Sequence, residues 1–351
     1  MKTNLFTYLR FLVIFLRLKL LNLISRFPPL PGGVLDEQTA LLRKGQVVLG
    51  EVPLDQLSPT QSRLNMRQSF ALLKSIGGIF EKVESVRDLV LPGPAGEIPA
   101  RLYTPGKSTG YPVFVFLHGG GWVIGDLDTA DNMSRFLCKQ VPCVVLSVDY
   151  RLAPEHIFPA AAEDAYAAVA WAVTHAAELG GDPKKVLVGG DSAGGNLTAV
   201  VAQMASQKGG PKIAGQVLFY AAVDAVHLDT PSYKEFGEKS LGLPTSDVEW
   251  FLDQYTPDPR ERLDPRLSPL LADDLRGLPP ALVVTAEFDV LRDEGEEYAR
   301  RMQAAGVQVK LMRCNGMVHG FLSMIGLIRR ATMYFEEIAG EVRRISLTLQ
   351  A

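Results

Sequence analysis

The chain has 351 residues, of which 47% are hydrophobic and 21% charged, and its formal net charge is −3. Such a chain can bury a large core, either as one enlarged α/β domain or as two small domains, and its weak negative charge argues against nucleic acid as a partner. The three cysteines, Cys138, Cys143 and Cys314, are odd in number and lack metal-ligand spacing. This disfavours a disulfide scaffold and a zinc site, and it favours a reducing compartment.

Residues 1–30 differ in character from the rest of the chain. Residues 1–26 hold five basic side chains and no acidic one. Their longest purely apolar run, Phe11–Leu16, is much shorter than the roughly twenty residues of a membrane-spanning helix. A secretory signal fits poorly, because basic residues interrupt the apolar region. We therefore expect either an interfacial helix, which would attach the protein peripherally to a membrane, or a cap helix packed on the core.

The region from residue 31 to residue 80 reads as helical. A Pro- and Gly-rich break at Pro28–Gly33 separates it from the N-terminal segment. Apolar periodicity then predicts helices over Glu37–Gly50 and Pro59–Ile79. We expect these helices to form part of a cap on the domain that follows.

Strand and helix patterns alternate over residues 81–351. The predicted strands are Glu84–Leu91, Ile98–Tyr103, 112–117, 143–149, 185–189, 213–221, 281–286 and 307–313. The alternation predicts an α/β fold, in which helices cover both faces of a mostly parallel central sheet. Residues 222–280 interrupt it, and we interpret them as a cap insertion. Its aromatic residues Trp250, Phe251 and Tyr255 either line a site or form the core stripe of their own helix.

A run of glycines directly follows the strand at 112–117. Residues 118–122 read His-Gly-Gly-Gly-Trp, and consecutive glycines let backbone N–H groups approach a substrate closely. Attack on an acyl carbon creates an oxyanion that preorganised donors must stabilise. The expected donors are the N–H groups of Gly120 and Gly121, together with that of Ala193. The alternative is a flexible turn after a buried strand.

Ser192 is the candidate nucleophile. Residues 190–194 read Gly-Asp-Ser-Ala-Gly between the apolar run Val186–Val188 and a small-residue helical pattern that starts at Asn196. A strand that turns sharply into a helix exposes such a serine above the sheet, and flanking glycines prevent collisions at the bend. The alternative is an ordinary glycine-rich turn. Asp191 points away from its neighbour in this geometry, so we interpret it as a structural partner.

His319 is the candidate general base among five histidines. After a nucleophile turn of this kind, the expected chain order is serine, then acid, then histidine. The histidines at 118, 156 and 175 precede the serine, and His227 lies in a polar stretch where a loop role is expected. His319 follows the predicted strand at 307–312 and a predicted loop at Cys314–Gly316, close to the chain end.

Asp289 is the candidate acid. It lies a few residues past the predicted strand at 281–286, where the functional groups of parallel sheets collect. Asp293 competes with it, but at a predicted helix start its carboxylate would be an ordinary cap. Glu287 is closer to the strand and would need a different backbone path.

The same residues form a combination of patterns that covers most of the chain after about residue 80. The patterns are His118–Trp122, Asp149–Glu155, Gly190–Gly195, Asp289–Asp293 and Gly316–Phe321. Together they resemble the hormone-sensitive-lipase-like branch of the α/β-hydrolase family. The resemblance implies the α/β-hydrolase fold, carboxylic-ester hydrolase activity and a cap domain over the site. It also places Asp289 at the family's acid position.

The predicted function is that of a serine carboxylesterase that acts through an acyl-enzyme, and the resemblance favours short- to medium-chain esters. One alternative is a membrane-associated lipase acting on longer-chain neutral lipid esters, which only the basic N-terminal segment supports. Another is a non-catalytic small-molecule binder on the same fold. We expect no metal or organic cofactor and a cytoplasmic location, with membrane association if residues 1–26 bind lipid. The oligomeric state is not fixed by the sequence.

Overall fold

One eight-stranded sheet forms the centre of the molecule. The computed structural model describes residues 32–48, 52–75, 81–238 and 242–347, so the N-terminal segment 1–30 lies outside the described residues. The strands are β1 (Ser85–Gly93), β2 (Gly96–Thr104), β3 (Tyr111–Leu117), β4 (Val144–Val148), β5 (Gly181–Asp191), β6 (Gly215–Phe219), β7 (Ala281–Phe288) and β8 (Val309–Val318). Their order across the sheet is β1-β2-β4-β3-β5-β6-β7-β8. Only β2 runs against its neighbours, which confirms the mostly parallel sheet.

Helices flank the sheet on both faces. In the described ranges they are α1 (Glu37–Val48), α2 (Pro59–Ser75), α3 (Asp131–Gln140), α4 (Ala160–His175), α5 (Ala193–Lys208), α6 (Pro231–Phe236), α7 (Thr245–Tyr255), α8 (Arg292–Ala304) and α9 (Arg329–Leu347). None of these described helices is both long enough and apolar enough to span a lipid bilayer.

The core lies on the two faces of the sheet, and β3 shows how the sequence divides it. Val113, Val115 and Leu117 join the cluster that contains the alanine-rich helices α4 and α5. Phe114 and Phe116 join the opposite cluster, which includes α3 and α9. Successive side chains of a strand point to opposite faces, so a strand covered on both sides must be apolar throughout.

Four helices lie outside the strand–helix alternation. α1 and α2 fall in the predicted cap region 31–80, and α6 and α7 fall in the predicted insertion 222–280. The division of the chain into these cap segments and a catalytic domain stays a prediction. The described part of the chain shows that α2 and α7 both contribute side chains to a cavity at the carboxyl edge of the sheet.

The prediction of a loop at Cys314–Gly316 is wrong, because β8 continues through it to Val318. Cys314 pairs with Ala286 of β7, and the pairing resumes at Val318 after a register shift. Gly316 adopts a φ of 78° within this irregularity, a conformation that glycine tolerates. The apolar alternation stops before this point, so the sequence pattern did not show that the strand continues.

Candidate active site

Ser192 occupies the turn between β5 and α5. Its φ of 53° and ψ of −117° are strained for a residue with a side chain, and its N–H donates to the Phe219 carbonyl at 2.9 Å. A Cβ at either Gly190 or Gly194 would collide with the Leu117 carbonyl oxygen, so both positions require glycine. The turn directs the serine hydroxyl away from the sheet at its carboxyl edge.

His319 and Asp289 continue a line of hydrogen bonds that starts at this serine. His319 Nε2 lies 3.0 Å from Ser192 Oγ, and His319 Nδ1 lies 2.8 Å from Asp289 Oδ2. Each of the three residues directly follows the carboxyl end of a strand. Ser192 follows β5, Asp289 follows β7 and His319 follows β8. Asp289 is buried, and its Oδ1 accepts the Leu291 N–H at 3.0 Å. The distances fit an imidazole that donates from Nδ1 and accepts the serine proton at Nε2.

The two competing carboxylates make other contacts. Glu287 accepts the N–H groups of Gly33 at 2.5 Å and of Gly316 at 2.8 Å, so it joins the start of the described chain to β8. Asp293 accepts the Ser232 N–H at 2.8 Å, in the first turn of α6. Asp293 lies in the first turn of its own helix, as predicted, and its carboxylate also supports the N-terminus of the neighbouring helix α6.

Asp191 connects the serine turn to the glycine run. Its Oδ1 accepts the Gly119 N–H at 2.8 Å. Burial raises the pKa of Asp191, and the hydrogen bond from Gly119 and the nearby imidazole of His118 oppose that rise. This arrangement agrees with a structural role for the carboxyl and leaves Asp289 as the partner of the histidine.

The glycine run forms a tight turn that faces Ser192. The Val123 and Ile124 N–H groups both donate to the Gly120 carbonyl, at 3.0 and 2.9 Å. Gly120 and Gly121 have φ values of 120° and 57°. Within the described ranges, the N–H groups of Gly120, Gly121 and Ala193 donate to no protein acceptor. All three residues line the same cavity as Ser192, so their N–H groups remain the predicted oxyanion donors.

No side chain is tolerated at these two glycines. A Cβ at Gly120 would collide with the Ile124 carbonyl, and a Cβ at Gly121 would collide with the Phe251 ring of α7. The turn is thus packed on one side by its own backbone and on the other by a helix from the predicted insertion.

The remaining histidines make contacts of other kinds. His118 stacks on a tyrosine ring with centroids 4.3 Å apart. His227 Nδ1 lies 2.7 Å from Asp224 Oδ2, His175 bonds a carbonyl of its own helix, and His156 is exposed. Across the described ranges, no group of three or more His, Cys, Asp or Glu side chains could hold a metal ion.

A mostly apolar cavity of about 800 Å³ opens over Ser192 and His319. Its wall includes Met66 and Phe70 of α2 and Phe251 of α7. Trp250 and Tyr255, the other two aromatic candidates, do not line it. Trp250 packs edge-on against Phe251 at 5.3 Å, and Tyr255 stacks on the Trp122 ring at 4.9 Å.

Two buried residues near this site, Tyr220 and Glu294, are not among those that the sequence predicts. The Tyr220 ring contacts the His319 ring edge-on at 5.0 Å, and burial raises the pKa of Tyr220, which keeps its hydroxyl protonated. Glu294 Oε1 accepts the N–H groups of Val223 at 2.7 Å and Asp224 at 3.2 Å, and burial raises the pKa of Glu294. Neither residue stands in a local pattern that would have identified it.

Comparison with known proteins gives one consistent result. Residues 114–323 match a family model described as the alpha/beta hydrolase fold. The carboxylic ester hydrolase LipN of Mycobacterium tuberculosis is 50% identical over 272 residues, which are 76% of this chain and 71% of LipN. An ethyl acetate hydrolase of Pseudomonas putida is 37% identical over 83% of this chain and 92% of its own length. The solved structure of a hyperthermophilic esterase from Pyrobaculum calidifontis is 38% identical, with a TM-score of 0.85 over 89% of this chain and 98% of the esterase.

Proposed function

This chain belongs to the hormone-sensitive-lipase-like branch of the α/β-hydrolase family and is a carboxylic ester hydrolase, and we propose that Ser192, His319 and Asp289 perform its reaction. The observation that carries the proposal is the continuous hydrogen-bond line from Asp289 Oδ2 through His319 to Ser192 Oγ, with distances of 2.8 and 3.0 Å. Because the relatives are named as hydrolases, an enzyme is favoured over a non-catalytic binder on the same fold.

In the first half of the reaction, Ser192 Oγ attacks the ester carbonyl carbon while His319 Nε2 takes the hydroxyl proton. The carbonyl oxygen becomes an anion, and the N–H groups of Gly120, Gly121 and Ala193 stabilise it. Collapse of the tetrahedral intermediate breaks the bond to the alcohol oxygen. The alcohol leaves with the proton that His319 Nε2 returns, and an acyl-enzyme remains.

In the second half, a water molecule replaces the alcohol. His319 Nε2 takes a proton from the water, the hydroxyl oxygen attacks the acyl carbon, and the Ser192 oxygen leaves with the proton. Asp289 holds the imidazole through Nδ1 in both halves and stabilises its positive charge. The products are a carboxylic acid and the free enzyme.

For the substrate, we propose short- to medium-chain esters of carboxylic acids. A largely apolar cavity of about 800 Å³ supports an acyl group of this size, and so does the resemblance to the ethyl acetate hydrolase. We further propose peripheral contact of residues 1–26 with anionic membranes, supported by their five basic residues and the absence of acidic ones. Longer-chain lipid esters would then become accessible at the surface.

The test measures hydrolysis of p-nitrophenyl esters of increasing acyl length, in buffer and with anionic vesicles. We expect the highest kcat/KM for short and medium acyl chains in buffer. Ser192→Ala should lower kcat by a factor on the order of 10⁶ and leave the fold intact, because no other group can form the acyl-enzyme. An organophosphonate should label Ser192 alone. Activity that survives in Ser192→Ala, or a label on another serine, would contradict the mechanism; a preference for long chains only with vesicles would favour the lipase alternative.

A further inference from the structure

Helix α2 rests on the body of the protein through one face. Met66 and Phe70 of that face line the cavity, and Arg63 and Arg67 lie beside them at helical spacing. Among the described side chains at 59–71, Ser62 is the only one that is buried. Among these described side chains, the two arginines supply most of the polar contacts with the body.

The guanidinium of Arg63 reaches two backbone carbonyls. Arg63 Nε donates to Val123 O at 2.8 Å, and Nη2 donates to Ala153 O at 2.7 Å. The same group donates to both carboxylate oxygens of Glu155, at 2.9 and 2.6 Å. The Arg63 side chain is 23% exposed, so the helix and the loops it contacts enclose most of it. A rigid planar fork with all three nitrogens engaged fixes the acceptors relative to one another.

Both carbonyls belong to segments that hold the glycine turn. Val123 is part of the turn, because its N–H donates to the Gly120 carbonyl at 3.0 Å. Ala153 is bonded to the turn from the other side, since its N–H donates to the Trp122 carbonyl at 2.9 Å. Arg63 thus closes a ring of hydrogen bonds around the peptide group between Trp122 and Val123.

We propose that Arg63 is a positioning residue for the oxyanion donors, which rests on the proposed function of Gly120 and Gly121. The N–H directions of these two glycines depend on the backbone of the turn, and Arg63 restrains that backbone from helix α2. The restraint matters most in the transition state, when charge develops on the carbonyl oxygen. Loss of Arg63 should therefore lower kcat and leave KM nearly unchanged.

Two residues nearby provide matched controls. Arg67 lies one turn further along the same helix and pairs with Asp126, whose carboxylate binds the N–H groups of residues 128 and 129 and no atom of the turn. Arg67→Gln removes a similar helix contact without touching the turn. Glu155→Gln removes the charge partner of Arg63 and leaves both carbonyl contacts in place.

The experiment measures kcat, KM and melting temperature with p-nitrophenyl acetate, whose acyl group is short. Complete loss of one oxyanion donor costs about 10²–10³ in turnover, so for Arg63→Gln we expect a fall in kcat of about tenfold to a hundredfold, with KM within about twofold. Arg67→Gln and Glu155→Gln should keep kcat within about threefold of the wild-type value, even if their melting temperatures fall as much as that of Arg63→Gln.

A second variant and a second measurement guard against simple loss of folding. Arg63→Lys keeps the cation but lacks the planar fork whose separate nitrogens bind the two carbonyls, so kcat should fall while the melting temperature stays close to that of the wild type. Added methylguanidinium should restore part of the kcat of Arg63→Ala. The acidic limb of the pH–rate profile should keep its midpoint in every variant, because the triad is untouched.

Wild-type kcat in Arg63→Lys and Arg63→Gln would overturn the proposal. The proposal would also be overturned if kcat fell in proportion to the melting temperature in the Arg63, Arg67 and Glu155 variants alike. If the wild-type protein did not hydrolyse the acetate through Ser192, the proposed function would fail first, which is a distinguishable result.

Discussion

The two halves of the active site are held in different ways. Ser192, Asp289 and His319 each lie at or just past the end of a strand, and short hydrogen bonds join them directly. The glycine turn also follows a strand, yet its shape depends on two helices that are remote in sequence. Arg63 of α2 bonds its backbone, and Phe251 of α7 packs against Gly121.

This difference separates turnover from stability. The triad side chains meet at the edge of a sheet whose register is fixed by its own core, so an isosteric change among them should spare the fold. The turn is packed from both sides, so a change there should disturb helices α2 and α7 together with the proposed donors. Three substitutions, taken from the largest expected effect to the smallest, test this separation.

Asp289→Asn should lower kcat by about 10⁴ with little change in melting temperature, because the amide favours the wrong imidazole tautomer and keeps the shape of the site. Steady-state kinetics and thermal denaturation measure the two effects. Asp293→Asn is the matched control. It weakens the contact with the Ser232 N–H at the start of α6, and we expect a loss of about 1 kcal/mol in stability with kcat retained. The reverse pattern would show that Asp293 is the acid.

Gly121→Ala should lower kcat by about 10²–10³, and the collision of its methyl group with Phe251 should also lower the melting temperature. The contact with α7 thus couples the loss of rate to a loss of stability. Gly180→Ala is the control, since Gly180 also has a positive φ, of 82°, but open space around it. It should cost stability and leave kcat unchanged. An unchanged rate in Gly121→Ala would place the donors elsewhere.

Glu294→Gln should have the smallest effect, and this effect should grow as the pH rises. Burial raises the pKa of Glu294, so ionisation is harder in the folded protein than in the unfolded chain. The free energy of unfolding therefore falls as the pH rises from about 4.3, the pKa of a glutamate in the unfolded chain, towards the pKa of Glu294 in the folded protein. The fall is about 1.4 kcal/mol for each pH unit in this interval. The glutamine cannot ionise, so its melting temperature should match the wild type near pH 4 and exceed it near pH 9.

The same pH series in Glu294→Leu provides the contrast. Leucine removes the acceptor of the Val223 and Asp224 N–H groups and should destabilise the protein at every pH by about 1–3 kcal/mol. If Glu294→Gln were less stable than the wild type at high pH, the buried carboxyl would be ionised and stabilising in the folded protein.

The sequence predicted the triad side of the site better than the turn side. Ser192, Asp289 and His319 stand in short local patterns next to strands, and strands have a strong periodic signal. The contacts of Arg63 and Phe251 depend on how two helices are placed over the sheet, and no local pattern encodes that placement. The end of β8 was missed for a related reason, since pairing with β7 extends the strand past the point where its apolar alternation stops.

The order of the strands also determines when the enzyme becomes active. The glycine turn, the nucleophile and the acid all lie between β3 and β8, whereas His319 follows β8, the last of the described strands and an edge of the sheet. During synthesis the ribosome releases this strand after every other part of the site, and its pairing with β7 is needed to bring His319 to Ser192. Ester turnover therefore requires β8 to be paired with β7. In a refolding experiment, turnover should return no earlier than this pairing.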